Sequence, residues 1–126
     1  MKSFIALAIQ ATISVSALAQ TTLPTEYPAD SKPVLGDELK SLLSGKVFTV
    51  KTVRDGDWRL EFKDNGYAFL DTAGGYRDSG KWWVEAGKWC VHLSKGSEAC
   101  SDMRSIGSTH FYKRASNLEI VSMTLR

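Results

Sequence analysis

From Lys46 onward, hydrophobic and polar residues alternate along the chain, and turn residues recur roughly every eight to twelve positions. The segment Asp57–Lys63 alternates at every position, which gives it one apolar and one charged face. Asp64-Asn65-Gly66 follows with residues that tolerate positive φ in a tight turn. A period of two interrupted by such turns predicts an antiparallel meander.

This pattern predicts about eight strands, the number at which a sheet can close with its interior filled by side chains. The predicted strands cover residues 46–53, 57–63, 67–71, 79–85, 88–93, 99–106, 109–114 and 118–125. The predicted fold class is therefore mainly β. A small up-and-down barrel is the favoured architecture, and an open, strongly curved sheet is the alternative.

One short helix precedes the strands. Four leucines lie at helical spacing and form a single apolar stripe: Leu35, Leu39, Leu42 and Leu43. Asp37 is the predicted N-cap, and Gly45 is expected to end the helix. A helix of this length is not stable alone in water, so its stripe must pack on the sheet. We expect it to cap one end of a barrel or to lie on the concave face of an open sheet.

The N-terminal pattern is different. Lys2, an apolar run from Phe4 to Leu18 and the small-residue site ending at Ala19 predict a secretory signal peptide over residues 1–19. The run is too short for a transmembrane segment, so we expect a mature chain that starts at Gln20 and is periplasmic or secreted.

Residues 20–34 contain Pro24, Pro28 and Pro33 and show no apolar periodicity. Prolines cannot donate hydrogen bonds to a sheet ladder, so this segment is predicted to be an extended, mobile leader. Residues 35–126 are then a single β-rich domain, a size that allows one hydrophobic core.

The charge balance excludes one class of partner. One of the 16 basic residues, Lys2, lies in the predicted signal, which leaves 15 against 14 acidic residues in the mature chain. Both signs are mixed along the sequence, whereas a nucleic-acid surface shows clustered basic residues. We therefore expect no nucleic acid as a partner, and the sequence leaves the oligomeric state open.

The only two cysteines, Cys90 and Cys100, are predicted to form a disulfide in an oxidising compartment. A three-residue hairpin loop at 94–96 places them directly opposite each other on neighbouring strands. The absence of a Cys-x-x-Cys motif favours a structural bridge over a redox-active pair.

The same register makes His92 and Glu98 cross-strand neighbours, either a surface pair or a base with its orienting carboxylate. No serine lies in a nucleophile motif, so no catalytic residues are assigned. Soft donors on His92, Met103, His110 and Met123 are spread over four predicted strands without a compact motif. We predict no metal site and no cofactor.

Aromatic residues are concentrated in the strand region. Some have the phase of a buried face and are predicted to be core residues: Phe48, Trp58, Phe62, Phe69 and Trp82. Trp83 has the opposite phase, and three further aromatics lie near turns. The predicted contact surface for a partner protein or a sugar consists of Trp83, Trp89, Tyr67 and Tyr76.

Several motifs along the mature chain resemble a group of small exported proteobacterial proteins of unknown function. They are the helix corner Leu42–Lys46, the strand and turn Trp58–Gly66, the Gly-x-Trp strand Asp78–Trp82, and the two cysteines. The resemblance implies a calycin-like or small β-barrel fold and no assigned activity.

Three functions are carried forward. The first is a non-enzymatic exported binding or accessory domain that contacts an envelope protein, for example as a hydrolase inhibitor. The second is a carrier of a small hydrophobic ligand, held in a barrel mouth lined by aromatics and covered by the Leu39 helix. The third is a small periplasmic enzyme built around His92.

Overall fold

The computed structural model describes residues 22–126, and the predicted signal peptide at 1–19 lies outside them. Within this range the chain is mainly β, as predicted, with ten strands in one antiparallel sheet and one short helix. The sheet is strongly curled and forms a half-barrel. Among residues 22–126, no helix has the length and apolar character needed to cross a membrane.

The elements follow one another as β1 (Lys32–Val34), α1 (Gly36–Leu43), β2 (Lys46–Lys51), β3 (Asp57–Phe62), β4 (Tyr67–Thr72), β5 (Arg77–Glu85), β6 (Lys88–Leu93), β7 (Glu98–Ser101), β8 (Met103–Ile106), β9 (Thr109–Lys113) and β10 (Ile120–Leu125). Their order across the sheet is β1-β8-β9-β10-β2-β3-β4-β5-β6-β7. From β2 to β7, sequential strands are spatial neighbours, as in a meander.

The strand predicted at 99–106 is divided in two at Asp102. β7, before this residue, pairs with β6, whereas β8, after it, pairs with β9. Because β7 is one edge of the sheet and β8 is next to the other edge, the chain at Asp102 brings the two ends of the sheet together. This division and the unpredicted strand β1 account for ten strands instead of about eight.

The described part of the predicted leader is docked rather than free. β1 pairs with β8, and Val34 is buried. Further upstream, the Pro24 carbonyl accepts a hydrogen bond of 2.7 Å from the amide of Ile120. The prediction that prolines exclude this segment from the sheet is wrong because Pro33 lies on an edge strand, where an N–H group is not required.

The prediction that Asp37 is the N-cap of helix α1 is wrong. Leu35 occupies the N-cap position without a side-chain hydrogen bond, and Asp37 lies in the first turn. A carboxylate in that turn still interacts favourably with the helix dipole. The apolar stripe is narrower than predicted, because Leu35 is exposed while Leu39 and Leu43 are fully buried. Gly45 ends the helix with a φ of +73°. The helix packs against β2, β5 and β6.

The core lies on the inner face of the sheet and includes a chain of edge-to-face aromatic contacts. The ring of Phe62 lies 5.3 Å from Trp82 and 5.5 Å from Trp89, measured between centroids. Phe69 is an exception to the predicted core, since it lies on the outer face and is 36% exposed. Its neighbour Leu70 takes the inward position opposite Leu60. In β4, apolar residues occupy both alternating sets of positions, so alternation alone could not show which set faces inward.

Candidate functional site

Cys90 and Cys100 form a disulfide, as predicted. They lie directly opposite each other in the register of β6 and β7. The Glu85 carboxylate lies within 4.8 Å of both sulfurs. Two sulfurs that are bonded to each other provide no thiolate for a metal, so this cluster is structural.

His92 lies opposite Glu98, also in agreement with the predicted register, and both side chains are exposed. His110 lies inside the sheet instead. Its Nδ1 is 2.5 Å from the Ser105 hydroxyl, and its ring packs against Phe48. Burial lowers the pKa of the His110 imidazole, and the nearby Lys46 ammonium lowers it further. The surroundings of His110 are those of a neutral core residue.

The four aromatics predicted to form one contact surface are separated by the fold. Tyr67 and Trp83 do line one groove of about 440 Å³ on the outer face, together with His92. Trp89 is only 3% exposed and belongs to the core, because it faces inward like Val91 on the same strand. Tyr76 belongs to a different site, where its hydroxyl donates to Asp78 at 3.1 Å. Of the four predicted contact residues, only Tyr67 and Trp83 therefore line the outer-face groove.

A second concave site lies inside the half-barrel. It is a cavity of about 260 Å³ that includes the β6–β7 turn and the loop after β9 in its wall. In an antiparallel meander these loops lie at the opposite end from the β5–β6 turn, where Gly87 approaches Leu35 beside α1. The cavity is thus at the end of the half-barrel away from the helix, and the predicted cover by the Leu39 helix is wrong.

The wall of this inner cavity is mainly apolar. Four aliphatic side chains, one each from β3 and β4 and two from β6, contribute to it, as do two indole rings: Leu60, Leu70, Val91, Leu93, Trp58 and Trp89. The residues at its entrance are small, including Gly96, Ser97 and Ala99. Small side chains at the entrance leave the space that larger ones would fill.

Two tryptophans of this wall have indole N–H groups that lie beneath the cavity surface and have no hydrogen-bond partner among residues 22–126. The indole Nε1 atoms of Trp58 and Trp89 are buried and unpaired, whereas the same atom of Trp82 donates to the Lys63 carbonyl at 2.8 Å. Leaving a buried donor unsatisfied costs about 1–3 kcal/mol. Tyr112, whose ring packs 5.0 Å from Trp89, also lines the cavity. Burial raises the pKa of the Tyr112 hydroxyl, which keeps it protonated.

A charged cluster forms one side of the rim. The Arg114 guanidinium lies 4.5 Å from the ring centre of Trp58. Its Nη1 contacts Asp55 at 2.8 Å and Glu119 at 3.2 Å. Glu119 is 1% exposed and also accepts a hydrogen bond of 2.9 Å from the amide of Val53. The cluster ties the β2–β3 loop to the β9–β10 loop beside the cavity.

Sequence reasoning missed this cluster, although one signal was present. Glu119 is a single acidic residue between Leu118 and the apolar residues that begin β10, a position where an exposed carboxylate is unexpected. Arg114, by contrast, had no distinguishing pattern. Only the fold shows that the two residues share the rim.

Asp78 is a second buried carboxylate, and it organises the turn at the cavity entrance. It accepts hydrogen bonds from the Ser94 hydroxyl at 2.7 Å and from the amide of Lys95 at 3.0 Å. The amide of Ser79 and the hydroxyl of Tyr76 also donate to it. Burial raises the pKa of this carboxyl, but the donated hydrogen bonds, led by Ser94, hold the pKa below its ordinary value.

Comparison with known proteins gives no match: no family model, no curated protein and no solved structure is significantly similar to this chain. The chemistry of the two concave sites is therefore assigned from their geometry alone.

Proposed function

We propose that this protein is an exported domain that binds a small, largely apolar molecule in its inner cavity. The observation that carries the proposal is a cavity of about 260 Å³ inside the half-barrel whose wall is mainly apolar. Concave, mainly apolar sites with a few polar groups are the usual form of small-molecule sites.

The cavity volume limits the size of the ligand. An apolar cavity of about 150 Å³ holds a benzene molecule, and drug-sized ligands occupy about 300–1,000 Å³. The inner cavity lies between these sizes, which favours a molecule of one or two rings or a short alkyl chain. Export is supported by the predicted signal peptide and by the disulfide, a bond typical of oxidising compartments.

Filling the cavity tests the proposal. Ala99 lines the entrance, and an Ala99→Phe variant places a ring in the space that the ligand needs. Ala29→Phe is the matched control, since Ala29 is exposed in a turn before β1. The probe is heptan-2-one, titrated while the tryptophan fluorescence is recorded. We expect saturable binding by the parent and the control and none by Ala99→Phe. Equal binding by all three proteins, or no binding by the parent, would contradict the proposal.

A second candidate function uses the outer-face groove. Two of the predicted contact aromatics, Tyr67 and Trp83, line it together with His92, which supports this candidate. We propose an envelope protein as the partner. A pull-down from periplasmic extract tests this candidate with Trp83→Ala, and Tyr76→Ala is the control outside the groove. A partner that is retained equally by both variants would exclude the groove as the contact.

A further inference from the structure

We infer that the ligand of the inner cavity is an amphipathic anion, a molecule with a short apolar body and one terminal carboxylate. The apolar body lies in the inner cavity, and the carboxylate lies at the rim, between Arg114 and Arg54. This inference rests on the proposed function and names the chemical class of the ligand. It follows from a second concave space at the rim and from the arginine donors that the rim leaves unpaired.

A cleft of about 570 Å³, the rim cleft, adjoins the inner cavity at the end away from α1. It lies between the β2–β3 loop and the β4–β5 loop, which contribute Arg54 and Tyr76 to its lining. Three residues line both spaces: Trp58, Leu70 and Arg114. Because the two spaces share these residues, one ligand can place its apolar part in the inner cavity and a polar group in the rim cleft.

The charges differ between the two spaces. Of the described residues that line the inner cavity, Arg114 is the only one with a charged side chain. Those that line the rim cleft carry two cations, Arg54 and Arg114, and one carboxylate, Asp55. A charged group would lose its hydration inside the apolar cavity, so it belongs at the rim, where the excess of cations favours an anion. Asp55 and Glu119 offset part of this charge, so we expect a moderate preference.

Arg114 has unused donors in the arrangement that a carboxylate needs. The two carboxylates of the rim cluster both contact the same nitrogen, Nη1, at 2.8 and 3.2 Å. Nε and Nη2 have no hydrogen-bond partner among residues 22–126, and, unlike the indole nitrogens of Trp58 and Trp89, they are not buried. Their N–H groups are parallel and can hold one carboxylate through two hydrogen bonds. The contact of the guanidinium with the Trp58 ring at 4.5 Å holds this edge in place before a ligand binds.

Arg54 is the second cation of the rim cleft. Within residues 22–126 its guanidinium forms no ion pair and no hydrogen bond. An exposed arginine does not by itself indicate a site, but Arg54 lines the same cleft as Arg114. A hydrogen bond to a charged group stabilises a complex more than one to a neutral group does. We therefore expect about a tenfold preference for a carboxylate over a neutral ligand of equal length.

Three probes of equal chain length test the inference at about pH 7.5, where the carboxylate is ionised: heptanoate, heptan-2-one and heptylammonium. Tryptophan fluorescence measures the affinity of each probe at low ionic strength. We expect heptanoate to bind about tenfold more tightly than heptan-2-one, and heptylammonium to bind most weakly. Added salt should reduce the preference for heptanoate. In NMR spectra the Arg114 Nε–H resonance should move on binding of heptanoate. Arg104 is the internal control, because its Nε already donates to the Ser31 hydroxyl at 2.8 Å.

Three substitutions locate the carboxylate. Arg54→Gln removes the unpaired cation and should reduce the preference for heptanoate over heptan-2-one about threefold or more. Arg126→Gln is the matched control, since Arg126 is exposed after the end of β10 and does not line either space. Arg114→Lys keeps a cation beside Asp55 and Glu119 but lacks the paired donors, so most of the preference should be lost. Asp55→Asn should act in the opposite direction and strengthen the binding of heptanoate.

Thermal unfolding shows whether each variant is folded. If Arg114→Lys does not fold, the effect of Arg54→Gln and the Arg114 resonance decide the question. Heptan-2-one or heptylammonium binding as tightly as heptanoate would overturn the inference and leave the inner cavity as a ligand site. A preference for heptanoate that is the same in Arg54→Gln and Arg126→Gln, or an unmoved Arg114 resonance in the saturated complex, would overturn it as well. Failure of all three probes to bind would overturn the proposed function together with the inference.

Discussion

Reduction of the Cys90–Cys100 disulfide gives the most direct test of how the sheet is stabilised. The bridge joins residues separated by 10 positions. In the chain-entropy description, closing a loop of this length stabilises the folded state by about 3 kcal/mol. For a domain of about 100 residues, this corresponds to a fall in Tm of roughly 10–20 °C. The fold should survive, because β6 keeps its pairing with β5 along its whole length.

The loss should also be local. β7 is an edge strand that pairs with β6 alone, so it is the element that depends most on the bridge. We expect amide exchange in β7 to accelerate on reduction far more than exchange in β3, which has a neighbour on both sides. Because the β6–β7 turn forms part of the inner cavity, reduction should also weaken ligand binding.

The assay compares thermal unfolding of the oxidised protein, the reduced protein and the double variant Cys90→Ala, Cys100→Ala. The last two should melt together at the lower temperature, with thiol titration verifying the redox state of each sample. An unchanged Tm after complete reduction would refute the stabilising role of the bridge. Uniformly accelerated exchange across the sheet would refute its local character.

Three further changes test other parts of the structure. Asp78→Ala should lower the free energy of unfolding by about 2 kcal/mol, with the exposed Asp64→Ala as control. The pKa of Asp78 is depressed in the folded state, so its contribution to stability is present above about pH 4 and is lost as the pH falls through the folded pKa. Urea unfolding should therefore show a smaller difference in unfolding free energy between the parent and Asp78→Ala at pH 3 than at pH 7. Glu119→Ala should lower the free energy of unfolding by about 3–5 kcal/mol, because it leaves Arg114 poorly paired in a buried position. Asp55→Ala, at the exposed end of the same cluster, should lower it by under about 1 kcal/mol. Val34→Asp should destabilise the protein strongly in the same measurement if β1 is docked, and a neutral effect would contradict that docking.

Local alternation predicted most of the sheet because each strand has its own periodicity and its own turn. The prediction of Asp57–Lys63 differs from β3 by one residue, and that of β6 is identical to the observed strand. The cysteine pairing was also predictable, because the length of one hairpin loop determines which residues of its two strands face each other.

Other features depended on contacts between segments far apart in the chain. Pro33 joins the sheet only because β8 lies beside it, and no local pattern indicates that neighbour. Trp89 was assigned to the surface from its position near a turn, yet its ring packs against Phe62 and Tyr112 from other strands. Proximity to a turn describes the backbone, and it does not determine which face of the sheet a side chain occupies.

The candidate site was the least predictable part. The hypothesis of an apolar ligand in a barrel mouth follows from aromatic content and a curved sheet, but it placed the site beneath the helix. The position of the inner cavity depends on where the β6–β7 turn meets the β9–β10 loop. Arg114 and Glu119 are brought together beside it by a hairpin whose loop has no recognisable turn motif.

The two ends of the half-barrel differ in how their side chains fill the interior. At the end near α1, Leu39 and Leu43 of the helix join the large inward residues of β2, β3 and β5 in a packed core. At the other end, the residues of β7 and of the β6–β7 turn that line the interior are small, and a cavity remains. Trp58, whose buried indole N–H has no partner among the described residues, lies near the start of β3 at this second end, and that donor opposes folding by about 1–3 kcal/mol. We therefore expect stability to be concentrated at the helix end, with the cavity at the less densely packed end.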